Sequence, residues 1–259
     1  MTRFCTFASG SSGNAALLSD GDTHILIDLG ISCRRITQAL CRVGISAADL
    51  DAVLITHEHT DHVAGLATYI KKYGTPIVTT SATARQLSYR IAGIEPRLCC
   101  AEWGETCEIG TIRVTVLPTS HDCAGSCAFR FETRGGVVGY ITDTGYIPGE
   151  TAEALLGAKL LVLESNHDVE MLRSGPYPYP LKQRVLGMHG HLSNETAAAF
   201  AVDSVKAGTK TIVLAHLSAE NNTPQMARDT VGRWLEAAGF DGELVTAPRG
   251  DISKIFVLE

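Results

Sequence analysis

No stretch of this chain is apolar for long enough to cross a bilayer. Its opening residues, MTRFCTFASGSSGNAALLSD, are too polar and glycine-rich for the core of an export signal. The two absences together predict a cytoplasmic protein with no membrane association. A surplus of positive charge is also missing: 22 Lys and Arg against 28 Asp and Glu give a formal net charge of -6. Adhesion to nucleic acid or anionic lipid by bulk charge is thereby excluded, whereas a local basic groove is not. No low-complexity linker divides the chain. No G-x-G-x-x-G follows the first strand-like run, since Ser9-Gly10-Ser11-Ser12-Gly13-Asn14 lacks that spacing. This counts against a doubly wound dinucleotide-binding sheet. The eight cysteines are scattered and Cys99 and Cys100 are neighbours. Without an export signal they read as reduced, buried thiols rather than a disulfide frame.

What the chain does have is length for a real core. With 259 residues, 45% of them hydrophobic, it suits one α/β domain over residues 1–259. Strand-like runs occur at Arg3–Ala8, Ala15–Leu18, His24–Asp28, Val53–Ile55 and Ile77–Thr79. A second batch lies at Thr111–Leu117, Ser126–Glu132, Val137–Ile141, Lys159–Leu163, Thr211–Ala215, Glu243–Thr246 and Ser253–Leu258. Helical spacing marks Cys33–Val43, Val63–Lys72, Ala82–Ile91, Asn194–Ala207 and Pro224–Ala238. Two batches of strands, each mixed with helices, predict two sheets packed face to face with helices outside, an αββα four-layer sandwich.

One short stretch concentrates the chemistry. Thr56 to Gly65, THEHTDHVAG, joins the apolar strand Ala52-Val53-Leu54-Ile55 to a helix and carries three histidines, an aspartate and a glutamate. A strand-to-helix corner aims several side chains at one point. Imidazoles and carboxylates are the donors that Zn²⁺, Mn²⁺ or Fe²⁺ accept. A solvated polar loop is the plainer alternative, but the apolar framing buries the corner, and buried charges need partners. His121, Asp143 and His216 each follow a hydrophobic strand, at the edge where α/β sheets gather their sites.

The run His57-x-His59-x-Asp61-His62, followed by His121, Asp143 and His216, resembles the ligand set of the metallo-β-lactamase fold superfamily. The resemblance implies that His57, His59 and His121 hold one divalent metal ion. It gives Asp61, His62 and His216 to a second, with Asp143 bridging the two. Asp28, in Ile25-Leu26-Ile27-Asp28, matches that family's early buried aspartate and is expected to orient a ligand or the neighbouring loop. Two Mn, Zn or Fe ions so placed would supply a bridging hydroxide and positive charge facing the transition state.

Two further stretches, Leu163-Glu164-Ser165-Asn166-His167-Asp168 and Gly190-His191-Leu192-Ser193-Asn194, resemble features of the phosphodiesterase members tRNase Z and RNase J. Phosphodiester cleavage expels an alkoxide, which leaves poorly unless protonated. His191 is expected to be that general acid, with Glu164 supporting it and Asp61 completing the catalytic set. His189 and His167 remain open candidates for the site. The Ser9–Asn14 loop, a compact single domain and these two stretches together look most like the small bacterial WalJ/YycJ (VicX) branch, while the missing β-CASP insertion and tRNA-gripping arm count against tRNA 3′ processing. That resemblance implies a 5′→3′ exonuclease on single-stranded or nicked DNA, with no dedicated protein partner.

Nucleic acid would need positive charge and aromatic surface. Arg34, Arg35, Lys71, Lys72, Arg85, Arg90, Arg173, Lys182 and Arg184 are available, as are Tyr177 and Tyr179 in a proline-rich segment read as an extended loop. The Ser193/Asn194 helix start and the Ser9–Asn14 loop offer backbone N–H groups to phosphate. Cys123 and Cys127 read as structural thiols. The competing activity is a metallohydrolase of a small ester, thioester or cyclic phosphate, which shares every metal ligand but has no need of Glu164 and His191.

Overall fold

A computed structural model describes residues 1–259. The first half runs β1 (Thr2–Ala8), β2 (Ala15–Asp20), β3 (Thr23–Ile27), α1 (Cys33–Arg42), β4 (Ala52–Leu54), α2 (Thr60–Val63), α3 (Leu66–Tyr69), β5 (Ile77–Thr79), α4 (Ser81–Arg90) and β6 (Leu98–Cys100). The second continues with β7 (Thr106–Ile109), β8 (Ile112–Pro118), β9 (Cys127–Thr133), β10 (Gly136–Ile141), α5 (Gly149–Leu155), β11 (Leu160–Glu164), α6 (Val169–Ser174) and α7 (Tyr179–Leu186). It closes with α8 (Asn194–Lys206), β12 (Thr211–Ala215), α9 (Pro224–Ala237), β13 (Glu243–Thr246) and β14 (Phe256–Leu258).

The strands form two seven-stranded sheets, ordered β14-β1-β2-β3-β4-β5-β6 and β13-β12-β11-β10-β9-β8-β7. Each is antiparallel at one end and parallel at the other, with β3/β4 and β10/β11 as the first parallel pairs. Successive side chains of a strand face opposite ways, so each strand feeds two cores. Phe4, Ile25, Ile27 and Leu54 meet Val116, Phe129, Phe131, Val162 and Val213 between the sheets. The alternate residues Cys5, Phe7, Leu26 and Val53 pack outward under α1, α3 and α4. Leu161, Leu163, Ile212 and Leu214 pack outward under α8 and α9. The αββα expectation is met, because both faces of both sheets are apolar and each needs a cover.

Three local expectations are corrected. Val63–Lys72 is two short helical segments, α2 and α3, rather than one helix. The Leu29 N–H donates to the His62 carbonyl, and the Gly65 N–H to the Leu29 carbonyl, so the loop after β3 stitches into this backbone and interrupts the helix. The proline-rich segment is only partly extended: Tyr179 opens α7, with a proline in its first turn, where the missing N–H costs nothing. The last strand starts at Phe256 rather than Ser253, although the Ser253 N–H still donates to the Thr6 carbonyl. The pattern also missed β6, β7 and the helices α5 to α7. These are short, and the two strands are largely exposed sheet edges with little apolar alternation.

Candidate metal centre

The C-terminal ends of β3, β4, β10, β11 and β12 meet at one rim of the sandwich. Only three non-glycine residues in the chain have positive φ: Asp28 (58°), Asp143 (55°) and His216 (54°). All three follow strands at this rim. Left-handed backbone is uncommon for residues with a Cβ, and such positions cluster at functional sites. The surroundings hold each turn in place. The Asp28 N–H donates to the Leu54 carbonyl, and the His216 N–H to the buried Ser9 hydroxyl at 2.8 Å. Two glycines allow close approaches that a side chain would block. A Cβ on Gly30 would sit 1.6 Å from the Asp61 carbonyl oxygen, and one on Gly190 would sit 2.2 Å from that of Val185.

The expected ligands converge as two adjoining groups. His57, His59 and His121 form one, and Asp61, His62, Asp143 and His216 the other, each compact enough to surround a single cation. Asp143 lies between them: its Oδ2 is 3.3 Å from His62 Nε2 and its Oδ1 is 3.8 Å from His121 Nε2. Asp61 Oδ2 stands 3.5 Å from His62 Nε2 and 3.4 Å from His216 Nε2.

The remaining ring nitrogens are anchored from behind. His62 Nδ1 donates to Asp28 Oδ2 at 2.7 Å, and His216 Nδ1 to Glu164 Oε1 at 3.0 Å. His121 Nδ1 donates to the Gly190 carbonyl. The Thr56 hydroxyl donates to Asp28 and can accept from His57 Nδ1. Asp28 thus orients ligand-type groups from a fully buried position, which is how such carboxylates tune metal sites.

The residues fit divalent cations. His57 Nε2 and Asp143 Oδ2 are buried and make no hydrogen bond with the protein. Leaving a buried polar atom unpaired costs about 1–3 kcal/mol, so both atoms call for an electrophile. The donor set is imidazole and carboxylate, as zinc, manganese or iron would take. Burial holds His57 well below the ordinary imidazole range, and the neighbouring His62 adds to the effect. Burial also opposes charge on His62 and His216, but facing carboxylates prevail. Asp143 and Asp28 hold His62 well above its usual range, while Asp143, Asp61 and Glu164 push His216 up to about 10. Protons and metal ions would therefore compete for this site.

His191 and Glu164 stand beside these groups. Glu164 is fully buried. Its Oε1 accepts from His191 Nδ1 at 2.7 Å and from His216 Nδ1, and its Oε2 accepts from the Thr144 and Leu192 N–H groups. Burial alone would raise its pKa, but His191 and His216 overcome this and hold it at about 2. Asp143, Glu164, His191 and His216 are close enough to make a third cation group. The two imidazole N–H donors already on Glu164 favour an ion-paired network there instead. The His191 side chain is 20% exposed and lines a cavity of about 230 Å³ with His59, Asp61, His121 and His216.

Other candidates separate. Tyr177 and Arg184, on the α6–α7 cover, line the cavity, whereas Tyr179 and the other basic residues named from sequence do not. Arg184 Nε pairs with Asp122 at the cavity wall. His167 is buried away from the cavity, its neighbour in the chain fold being Ser193, and burial lowers it to about 4. His189 accepts or donates with the Ser120 hydroxyl on the far side of His121. All eight thiols are unpaired, and Cys123 and Cys127 lie outside the ligand groups. Sequence reasoning missed Asp122, Ser218 and Asn221 on the wall. It also missed the individual position of Asn14, whose Nδ2 reaches within 3.0 Å of His62 Nε2. The only sequence signal for these was adjacency, Asp122 to His121 and Asn14 to the glycine loop.

Comparison with known proteins agrees with this fold. Residues 23–217 match the model of the beta-lactamase superfamily domain. The chain is 36% identical over 238 residues to "Exodeoxyribonuclease YycJ" of Bacillus anthracis, covering 92% of this chain and 90% of that one. It is 37% identical over 239 residues to "Exodeoxyribonuclease WalJ" of Streptococcus pneumoniae, covering 91% and 89%. Among solved structures, the metallo-β-lactamase fold protein YhfI of Bacillus subtilis aligns over 98% of this chain and 100% of its own, with a TM-score of 0.73 and 19% identity. The chain belongs to the metallo-β-lactamase fold superfamily, in the branch of the YycJ and WalJ proteins.

Proposed function

We propose that this enzyme is a two-cation phosphodiesterase that removes nucleotides from the 5′ end of DNA, single-stranded or nicked. The observation that carries the reading is the His191–Glu164 pair. A hydrolase of activated esters or thioesters expels a good leaving group and has no need of a second acid beside the ligand cluster. A phosphodiester expels an alkoxide, and protonating it is worth about 10²–10⁴-fold in rate. Relatives named exodeoxyribonucleases support DNA as the substrate and exonucleolytic removal as the outcome. The 5′→3′ direction rests on the resemblance to that branch.

In this reading His57, His59 and His121 would hold one cation, and Asp61, His62 and His216 the other, with Asp143 available to both. Two cations bound there would supply Lewis acidity and lower the pKa of water to near neutrality. The chain does the rest. Asp61, whose side chain is 23% exposed, faces the cavity and accepts a hydrogen bond that orients the attacking water. Arg184 can exchange its partner Asp122 for a substrate phosphate. His191 donates its Nε2 proton to the departing oxygen as the P–O bond breaks. Glu164 holds Nδ1, fixes the ring and stabilises the imidazolium before transfer.

The test is digestion of 5′- and 3′-labelled oligodeoxynucleotides with added Mn²⁺ or Zn²⁺, set beside hydrolysis of a thioester and a cyclic nucleotide. Metal-dependent release from the 5′ end, lost in His191→Ala while bound metal is retained, is the expected result. Turnover of the small substrates alone, or wild-type DNA cleavage by His191→Ala, would overturn it.

A further inference from the structure

A second groove, of about 360 Å³, lies against the metal centre, and His121 lines both cavities. The groove and the candidate site therefore share a wall at His121. Two aromatic side chains line it and remain in contact with solvent: Trp103, 52% exposed, and Tyr146, 42% exposed. Trp103 is fixed at one edge by donating Nε1–H to the Ser126 carbonyl at 3.1 Å. No lysine or arginine lines the groove, and Glu150 does. That lining repels phosphate and suits a neutral, flat group.

We propose that this groove receives the nucleobase adjacent to the scissile linkage, stacked on Trp103 and Tyr146. The assignment rests on the phosphodiesterase reading. It adds that the base is unpaired when it binds, as in a single strand or at a frayed end beside a nick, because a base still paired in a duplex cannot occupy a groove of this kind. Stacking on aromatic faces tolerates sequence, since every base has a π-face. The Arg184 guanidinium on one side and the aromatic groove without lysine or arginine on the other then divide the substrate between them, phosphate against base.

Trp103 and Trp234 are the chain's only tryptophans. The test begins with Trp234→Phe, which leaves Trp103 as the sole reporter. The metal-free protein in chelator is titrated with oligodeoxythymidylate, so that no cleavage occurs. Saturable quenching of Trp103 is expected, and its absence overturns the proposal. Loaded with metal, Trp103→Ala should lose about ten-fold in kcat/KM on a single strand, mostly through KM, with Trp103→Phe restoring most of it. On a strand made abasic beside the scissile linkage, Trp103→Ala and wild type should match. Tyr146→Ala should show the same pattern as a second variant. Equal losses on intact and abasic strands, or no loss on either, overturn the assignment. A wild-type protein that cuts no DNA contradicts the exonuclease reading instead, and the quenching titration then decides the groove by itself.

Discussion

The two sheets have the same plan yet contribute to the metal centre in different ways. In the first, the corner after β4 delivers four candidate ligands within six residues, His57 to His62. In the second, the corresponding rim delivers single residues from separate loops: His121 after β8, Asp143 after β10 and His216 after β12. The support differs in the same sense. Asp28 in the first sheet serves one neighbourhood, Thr56 and His62. Glu164 in the second joins a candidate ligand, His216, to a residue that is not one, His191. In the proposed reading the first sheet thus supplies a binding corner, and the second would couple binding to proton transfer.

The sharpest way to break this comparison is at the shared residue. Asp143→Ala should abolish tight metal binding and lower turnover by about 10³-fold or more, since several kcal/mol of transition-state stabilisation depend on the cations. Metal analysis and steady-state rates check it together. His191→Ala should keep the metal and lose about 10²–10⁴-fold in kcat on DNA, with a smaller loss on a substrate whose leaving group is a stable phenolate. The supporting carboxylates should then part company. Asp28→Asn keeps a residue that tolerates positive φ and should weaken metal affinity by about 10–100-fold. Glu164→Gln should weaken it comparably and also reduce kcat at saturating metal. If the two variants behave alike in kcat at saturating metal, the proposed division of labour between the sheets is wrong.

The smallest expected effect is on stability against pH. Facing carboxylates raise His216 to about 10 in the folded, metal-free protein, against an ordinary value near 6.5. A raised value stabilises the fold fully below the unfolded pKa, and that contribution is lost as pH climbs through the folded one. The thermal midpoint of metal-free protein should therefore fall between about pH 6.5 and 10. Cation-loaded protein should lose less, because the metal replaces the proton.

Much of this was legible in the sequence, for reasons that differ by residue. The αββα layering could be read because strands such as β3 and β11 alternate between two buried faces, leaving long apolar runs. The His57–His62 corner stood out because all its side chains come from one turn. His121, Asp143 and His216 were recoverable as strand-end residues once that corner had set the theme. Asn14, Asp122 and the Trp103/Tyr146 groove were not, because their meaning arises only from approach in space. Asn14 reaches His62 across 48 residues of chain, and its place in the glycine loop pointed to a phosphate rather than to this contact. The α6–α7 cover was obscured by polar composition: of α7 only Val185 is buried, so no apolar stripe announced a helix that walls the cavity.

The central claim is that residues from both sheets hold two cations at one centre. The most direct measurement is the number of divalent ions bound per chain, determined for wild type and for Asp143→Ala after equilibration with Mn²⁺ or Zn²⁺. The account predicts two ions in the wild type and the loss of tight binding in the variant. A wild type that binds none or one, or a variant that keeps both, would contradict it.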